Sequence, residues 1–168
     1  TQFRIASNGF ATFTSTSGTL TNATIPTTGE PNNLLAINWD DMRAASGGGA
    51  GHIYYHSDGS RLVIEWDHVM RYGHAECPYT MEIVIYPNGK IIYQYLTMGE
   101  ASCTTYHAQS TIGIENGDGT DGLEVLFNAF GYMHDNLAIR FSSAPGWLVF
   151  DPEFGSVPPS GTDTIDIT

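Results

Sequence analysis

Two runs of alternating apolar and polar residues lie on either side of Asn88-Gly89, within residues 79–96. Asn-Gly accepts the positive φ angles of a tight turn, so this pattern predicts a β-hairpin. A two-residue loop would place Ile85 opposite Ile92. Because side chains alternate across a strand, one face of this hairpin is mainly aliphatic and the other carries tyrosines.

The tyrosine face contains Tyr86, Tyr93 and Tyr95. A hairpin with two usable faces belongs near the middle of a sheet. The rings either pack against a second sheet or a neighbouring subunit, or they offer a platform on which sugars stack.

Short segments of strand-like composition recur along the rest of the chain, separated by Gly, Asn, Asp and Pro. They are residues 3–5, 10–13, 34–39, 52–56, 61–69, 110–115, 123–127, 137–141 and 147–150. About ten short strands without an amphipathic helix predict an all-β fold, an antiparallel, jelly-roll-like β-sandwich. One helical turn is expected within residues 40–45.

We expect a β-sandwich domain over residues 1–156, a Pro/Gly linker at 157–161 and a strand-like tail at 162–168. The tail is expected to pair with a sheet edge, either its own or a neighbour's, because a polar tail stays ordered only when something holds it. Its candidate partner-strand residues are Thr162, Thr164, Ile165 and Ile167. Thr1 is expected to be a processed or cut end, or to follow missing residues.

Six basic residues against 18 acidic ones give a net charge of −12. Such a chain repels phosphate backbones and anionic membrane surfaces, which argues against nucleic acid as a partner. It contains no stretch of about 20 apolar residues that would span a membrane. The abundance of Thr, Ser, Gly, Asn and Tyr is typical of extracellular β proteins.

The two cysteines are Cys77 and Cys103. Extending the hairpin outwards places Cys77 opposite about position 100, close enough to Cys103 for a disulfide, which is the leading interpretation and implies an oxidising compartment. The alternative is a zinc site formed by these cysteines with His74 and His107, whose spacing suits zinc ligands.

Acidic residues offer a candidate calcium site, for which Asp40, Asp41, Asp118 and Asp121 are the residues to examine. The Asp-Gly pairs near Asp118 also form turns for steric reasons alone.

No cofactor is required by any motif. The sequence contains neither Gly-x-Ser-x-Gly nor His-Glu-x-x-His, and we expect no catalytic residues. Asn22 begins an Asn-Ala-Thr sequon and is a candidate N-glycosylation site.

Several motifs taken in order resemble a β-sandwich module of secreted bacterial and archaeal surface proteins, and more loosely the nidogen-type extracellular domain. They are the segment 3–10, the Asn-Asn-Leu-Leu-Ala run ending in Trp39-Asp40-Asp41, Ile64-Glu65-Trp66, the 85–91 hairpin and the segment 111–123. The resemblance covers residues 3–141. It implies an extracellular, non-catalytic accessory or adhesive role, often beside secreted peptidases and sorting domains.

The chain departs from this family pattern at both ends. Members have another strand before the Ser-Asn-Gly turn, and this chain adds a C-terminal strand. The added C-terminal strand of one copy would take the place of the missing first strand in the next copy. Such a head-to-tail contact would propagate into a filament. The function expected is therefore a structural or adhesive module that acts as a self-assembling subunit. The alternative is a carbohydrate-binding accessory module of a larger secreted enzyme.

Overall fold

Two antiparallel sheets face each other in the computed structural model, which describes residues 3–45, 51–99, 103–143, 150–151 and 166–167. The predicted all-β sandwich is therefore confirmed. The strands are β1 (Arg4–Ala6), β2 (Phe10–Thr12), β3 (Leu34–Trp39), β4 (Met42–Arg43), β5 (His52–Ser57), β6 (Leu62–Arg71), β7 (His74–Ile85), β8 (Ile91–Thr97), β9 (Thr111–Glu115), β10 (Gly122–Phe127), β11 (Leu137–Phe141), β12 (Phe150–Asp151) and β13 (Asp166–Ile167), with one helix, α1 (Thr104–His107), between β8 and β9.

The smaller main sheet has the strand order β1-β2-β3-β9-β10, and the larger one has the order β11-β8-β7-β6-β4, with β5 also paired to β6. The central hairpin, β7–β8, lies inside the larger sheet, as its two usable faces predict. The second predicted hairpin is also present, because β5 and β6 pair from His52 opposite Asp67 to Ser57 opposite Leu62. A separate two-stranded sheet joins β12 to β13.

The register of the central hairpin corrects the sequence prediction by one residue. Ile85 lies opposite Ile91, not Ile92. The Tyr86 amide donates to the Lys90 carbonyl at 2.9 Å, so the loop has three residues, 87–89. Gly89 has a φ of +82°. A turn that ends in a left-handed glycine is the usual form of a three-residue hairpin loop, and Pro-Asn-Gly suits it.

This shift moves the tyrosines into the core. A slip of one residue exchanges the two faces of a strand, so Tyr93 and Tyr95 share a face with Ile83 and Met81. Both tyrosine rings are at most 1% exposed. The Tyr93 hydroxyl donates to the Gly113 carbonyl at 2.9 Å and the Tyr95 hydroxyl to the Ile37 carbonyl at 2.7 Å. Each bond therefore crosses from the larger sheet to the smaller one.

Two tryptophans make further contacts between the elements of the sandwich. The buried Trp66 side chain donates to the Ala6 carbonyl at 3.0 Å, which connects β6 to β1. On the outer side of the smaller sheet, Trp39 packs edge-on against Phe10 and donates to the Thr19 carbonyl in the 13–33 loop. The loop that the sequence leaves unstructured thus covers a second, smaller apolar cluster.

One local prediction needs correction, one lies mostly outside the described residues, and one helix is not predicted. The helical turn expected within 40–45 is wrong, because Met42–Arg43 forms a strand paired with Arg71 and Met70. The helix α1 is not predicted by the sequence, since four residues are too few for a periodic signal. The strand expected at 147–150 falls mostly outside the described residues.

We predict that Tyr95→Phe destabilises the protein by about 1 kcal/mol, because it leaves the buried Ile37 carbonyl without its donor. Urea unfolding measures this change. Tyr55→Phe is the matched control, since Tyr55 is 75% exposed, and should change the free energy of unfolding by less than about 0.5 kcal/mol. Equal effects of the two substitutions would contradict the core position of Tyr95.

Candidate functional site

The outer face of the larger sheet, which points away from the core, carries a row of aligned residues across five strands. Tyr54 lies opposite Glu65, Glu65 opposite Glu82, Glu82 opposite Gln94, and Gln94 opposite Ala138. We call this set the outer-face row. It places two carboxylates side by side in the middle of the sheet.

A cavity of about 420 Å³ lies on this face. Glu65, Glu82 and Gln94 line it, with apolar surface supplied by Leu96 and Ala138. This volume is within the range of small-ligand sites in proteins, roughly 300–1,000 Å³. The cavity thus combines a polar floor with apolar walls.

The two glutamates of the row are half-buried. Among the described residues, neither carboxylate makes a hydrogen bond or an ion pair. Burial raises the pKa of Glu65 above its usual value, and the negative charges of Asp67 and Glu82 raise it further. His68 opposes this shift, and the outer-face row concentrates negative charge that no described lysine or arginine contacts.

A second surface lies at the margin of the sandwich, where β11 is the outermost described strand of its sheet. An apolar groove of about 520 Å³ runs there between the sheets, lined in part by Ile91, Ile114 and Leu123. Leu123 is 60% exposed. Since Ile91 pairs with Phe141, the groove adjoins the Phe141 end of β11.

The predicted disulfide is present. Cys77 and Cys103 are bonded, with their Cα atoms 5.6 Å apart, and both are fully buried. The alternative zinc site is wrong for this structure, because neither sulfur is left as a thiolate ligand. Its two histidines have other contacts: His74 Nδ1 lies 3.0 Å from a Glu76 carboxylate oxygen, and His107 Nε2 contacts the Met98 carbonyl.

The disulfide holds α1 against a buried ion pair. Arg71 Nε donates to the Asp40 carboxylate at 2.8 Å, and the Arg71 guanidinium lies over the Tyr106 ring of α1. Burial raises the pKa of Asp40, although Arg71 and the Asp41 amide oppose the shift. Burial also raises the pKa of Tyr79, whose hydroxyl has no hydrogen-bond partner in the described part of the chain.

The four calcium candidates do not come together. Asp40 follows the end of β3 that pairs with Thr111, whereas Asp118 and Asp121 follow the opposite end of β9, after Glu115. Asp118 instead accepts hydrogen bonds from the amide and hydroxyl of Thr120, which lower its pKa. Within the described ranges, no group of three or more His, Cys, Asp or Glu side chains could hold a metal ion.

The structure also places the candidate glycan residues. Tyr93 and Tyr95 are core residues, so their predicted role in stacking on sugars is wrong. Tyr86 is half-buried beneath Lys90, whose Nζ lies 3.8 Å from the ring centroid. The Asn22 amide nitrogen, which would carry an N-linked glycan, donates to Thr111 Oγ1 at 3.0 Å and Asn128 Oδ1 at 2.9 Å.

Of the predicted partner-strand residues, Ile167 lies in β13, opposite Phe150. Thr162, Thr164 and Ile165 lie outside the described residues. The pairing of β12 with β13 involves two residues on each side and joins neither main sheet.

The sequence prediction missed the outer-face row because of its hairpin register. The two-residue loop places Glu82 on the same face as the tyrosines and Gln94 on the opposite face. A three-residue loop is equally compatible with Pro87-Asn88-Gly89 and places Glu82 and Gln94 together. That register also puts Tyr93 and Tyr95 on the aliphatic face with Ile83, and burial of these two rings could have favoured it.

Comparison with known proteins supports the family resemblance. A family model described as "NIDO related" matches residues 1–138. The chain therefore belongs to the NIDO-related family, which with the disulfide indicates an extracellular, structural type of domain. No curated protein and no solved structure matches the chain. No helix in the described ranges is both long enough and apolar enough to cross a membrane.

We predict that reducing the disulfide, or the variant Cys77→Ala/Cys103→Ala, lowers the free energy of unfolding by about 3–4 kcal/mol. The crosslink joins residues 26 apart, and closing a loop of this length restricts the unfolded chain by about that amount. Thermal unfolding with and without reductant measures it. Unchanged stability would contradict a structural role for the crosslink.

We predict that Glu82→Gln stabilises the protein by about 0.2–1 kcal/mol at pH 7, because it removes a like charge opposite Glu65. The raised pKa of Glu65 means that its ionisation weakens the fold as pH rises through its folded-state pKa. The gain should therefore shrink as pH falls below about 4, where carboxylates are protonated. Urea unfolding at both pH values measures it, with Asp121→Asn in the exposed turn as the control.

Proposed function

We propose that the chain is a non-catalytic extracellular structural or adhesive module that assembles with copies of itself. The C-terminal strand of one copy, within residues 162–168, adds to the β11 edge of the next copy. Because the two contacting surfaces differ, the contact is head-to-tail and propagates into a filament.

The observation that carries this proposal is the position of β11 beside the apolar groove, where no described strand pairs with its outer edge. An edge strand presents unpaired backbone N–H and C=O groups that a further strand can satisfy. The half-exposed apolar wall of the groove, above all Leu123, gives side chains of an added strand a surface on which to pack. Backbone pairing and side-chain burial are the two components of strand complementation.

Charge favours β11 over β10, the edge strand of the facing sheet at the same margin of the sandwich. β11 contains no acidic residue and carries Arg140, which is exposed and makes no ion pair with the described residues. β10, by contrast, contains Glu124 and follows Asp121. In a chain of net charge −12, an acidic tail is attracted to β11 and repelled by β10.

The alternation of the tail fits the two faces of β11. When Asp166 pairs with Arg140, the period of two places Ile165 and Ile167 on the same face as Ile139 and Phe141, in either strand direction. Phe141 belongs to the core cluster, and Ile139 packs against it. The tail isoleucines would therefore continue the core into the groove.

The pairing of β13 with β12 within one chain is short, so β13 can leave it and pair with another copy. β13 pairs with β12 over two residues, and the register sets Asp166 opposite Asp151. Like-charged residues directly opposite each other destabilise an antiparallel pair. Transfer of β13 to β11 would replace this opposition with an Arg140–Asp166 pair.

We predict that the full chain has a concentration-dependent mass well above the 18.3 kDa of one chain, and that deletion of residues 162–168 returns it to one chain. Light scattering without denaturant measures both masses. Arg140→Asp should also reduce the assembly to single chains, because it opposes two negative charges at the contact.

The matched control is the charge exchange Arg140→Asp/Asp166→Arg, which restores opposite charges and should restore assembly. A single-chain mass for the full chain at all concentrations would overturn the proposal. If such a monomer also bound polysaccharide, the carbohydrate-binding alternative would take its place.

A further inference from the structure

We propose that the cavity on the outer face of the larger sheet binds a lysine or arginine side chain presented by a partner protein. Glu65 and Glu82 would hold the cationic head, and Leu96 and Ala138 would pack along its aliphatic stem. This site lies on the sheet face rather than on an edge, and it does not depend on self-assembly.

The unneutralised carboxylates are the first reason for this assignment. Two glutamates directly opposite each other in neighbouring strands repel, and neither makes a hydrogen bond or ion pair within the described residues. The adjacent Gln94 side chain likewise makes no hydrogen bond there. A cationic group placed between the carboxylates would reverse the repulsion and donate charge-assisted hydrogen bonds to them.

No lysine or arginine of the chain contacts the two glutamates in the described ranges, and His68, which lowers the pKa of Glu65, lies against Asp67. The chain's six basic residues all lie in the described ranges, and five contact other groups: Arg61 with Asp58, Arg71 with Asp40, Arg4 with the Ser15 carbonyl, Arg43 over Tyr72 and Lys90 over Tyr86. The sixth, Arg140, lies two residues along β11 from the outer-face row, opposite Ile92. A lysine or arginine of a partner molecule would therefore meet carboxylates that the chain's own lysine and arginine side chains do not contact in the described ranges.

The shape of the cavity favours a side chain over a metal ion. Calcium takes six to eight oxygen ligands, and this cavity offers two carboxylates. A volume of about 420 Å³ with apolar walls is much larger than an ion requires. Lysine and arginine combine a cationic head with an aliphatic stem that packs along apolar surface.

The test is equilibrium dialysis of the full-length chain against radiolabelled acetyl-Gly-Arg-Gly-amide and its lysine analogue, at pH 7 and about 0.15 M salt, where distant charges are screened. Both peptides should bind, and acetyl-Gly-Gln-Gly-amide should not. The variant Glu65→Gln/Glu82→Gln should weaken binding by at least about tenfold, which corresponds to the loss of roughly one charge-assisted hydrogen bond.

The matched control is Glu30→Gln/Asp121→Asn, which changes the net charge by the same two units on exposed residues outside the cavity. It should leave binding within about twofold of the parent chain. Equal weakening by both double variants would show a general effect of charge and overturn the proposal. Equal binding of the glutamine peptide would overturn it, as would calcium binding lost in Glu65→Gln/Glu82→Gln without any peptide binding.

Discussion

The hydrogen bonds of Tyr93 and Tyr95 to backbone carbonyls of the opposite sheet are the contacts on which the rest of the sandwich depends. Each hydroxyl is buried and reaches a carbonyl on the facing sheet, Gly113 or Ile37. A buried carbonyl without a donor costs free energy, so these bonds set both the separation and the alignment of the sheets. They also require one register of the β7–β8 hairpin, because a slip of one residue would turn both rings outwards.

That same register determines what the protein presents to solvent. With the tyrosines inside, Glu82 and Gln94 face outwards and align with Glu65 across the larger sheet. The inner face ends at the margin beside β11, where Leu123 remains mostly exposed. We consider two surfaces functional, the outer-face row and the β11 edge. Both therefore follow from the hairpin register that buries the tyrosines in the centre of the sheet.

The sequence predicts the strands and the disulfide well, because alternation, turn residues and cysteine placement are local signals. It predicts the hairpin faces wrongly, because Pro87-Asn88-Gly89 is compatible with loops of two or three residues and only packing against the second sheet distinguishes them. The calcium candidates show a related limit. Asp40 and Asp118 both follow buried strands, but the antiparallel pairing of β3 with β9 places them at opposite ends of the sheet.

Transfer of the C-terminal strand to a neighbouring β11 is the central claim of this account. It is tested most directly by introducing Arg140→Cys and Asp166→Cys into the full chain and oxidising it under mild conditions. Exchange between copies predicts a ladder of disulfide-linked oligomers on a non-reducing gel, which disappears when either cysteine is omitted. A single crosslinked chain, or no crosslink between these positions, would contradict it.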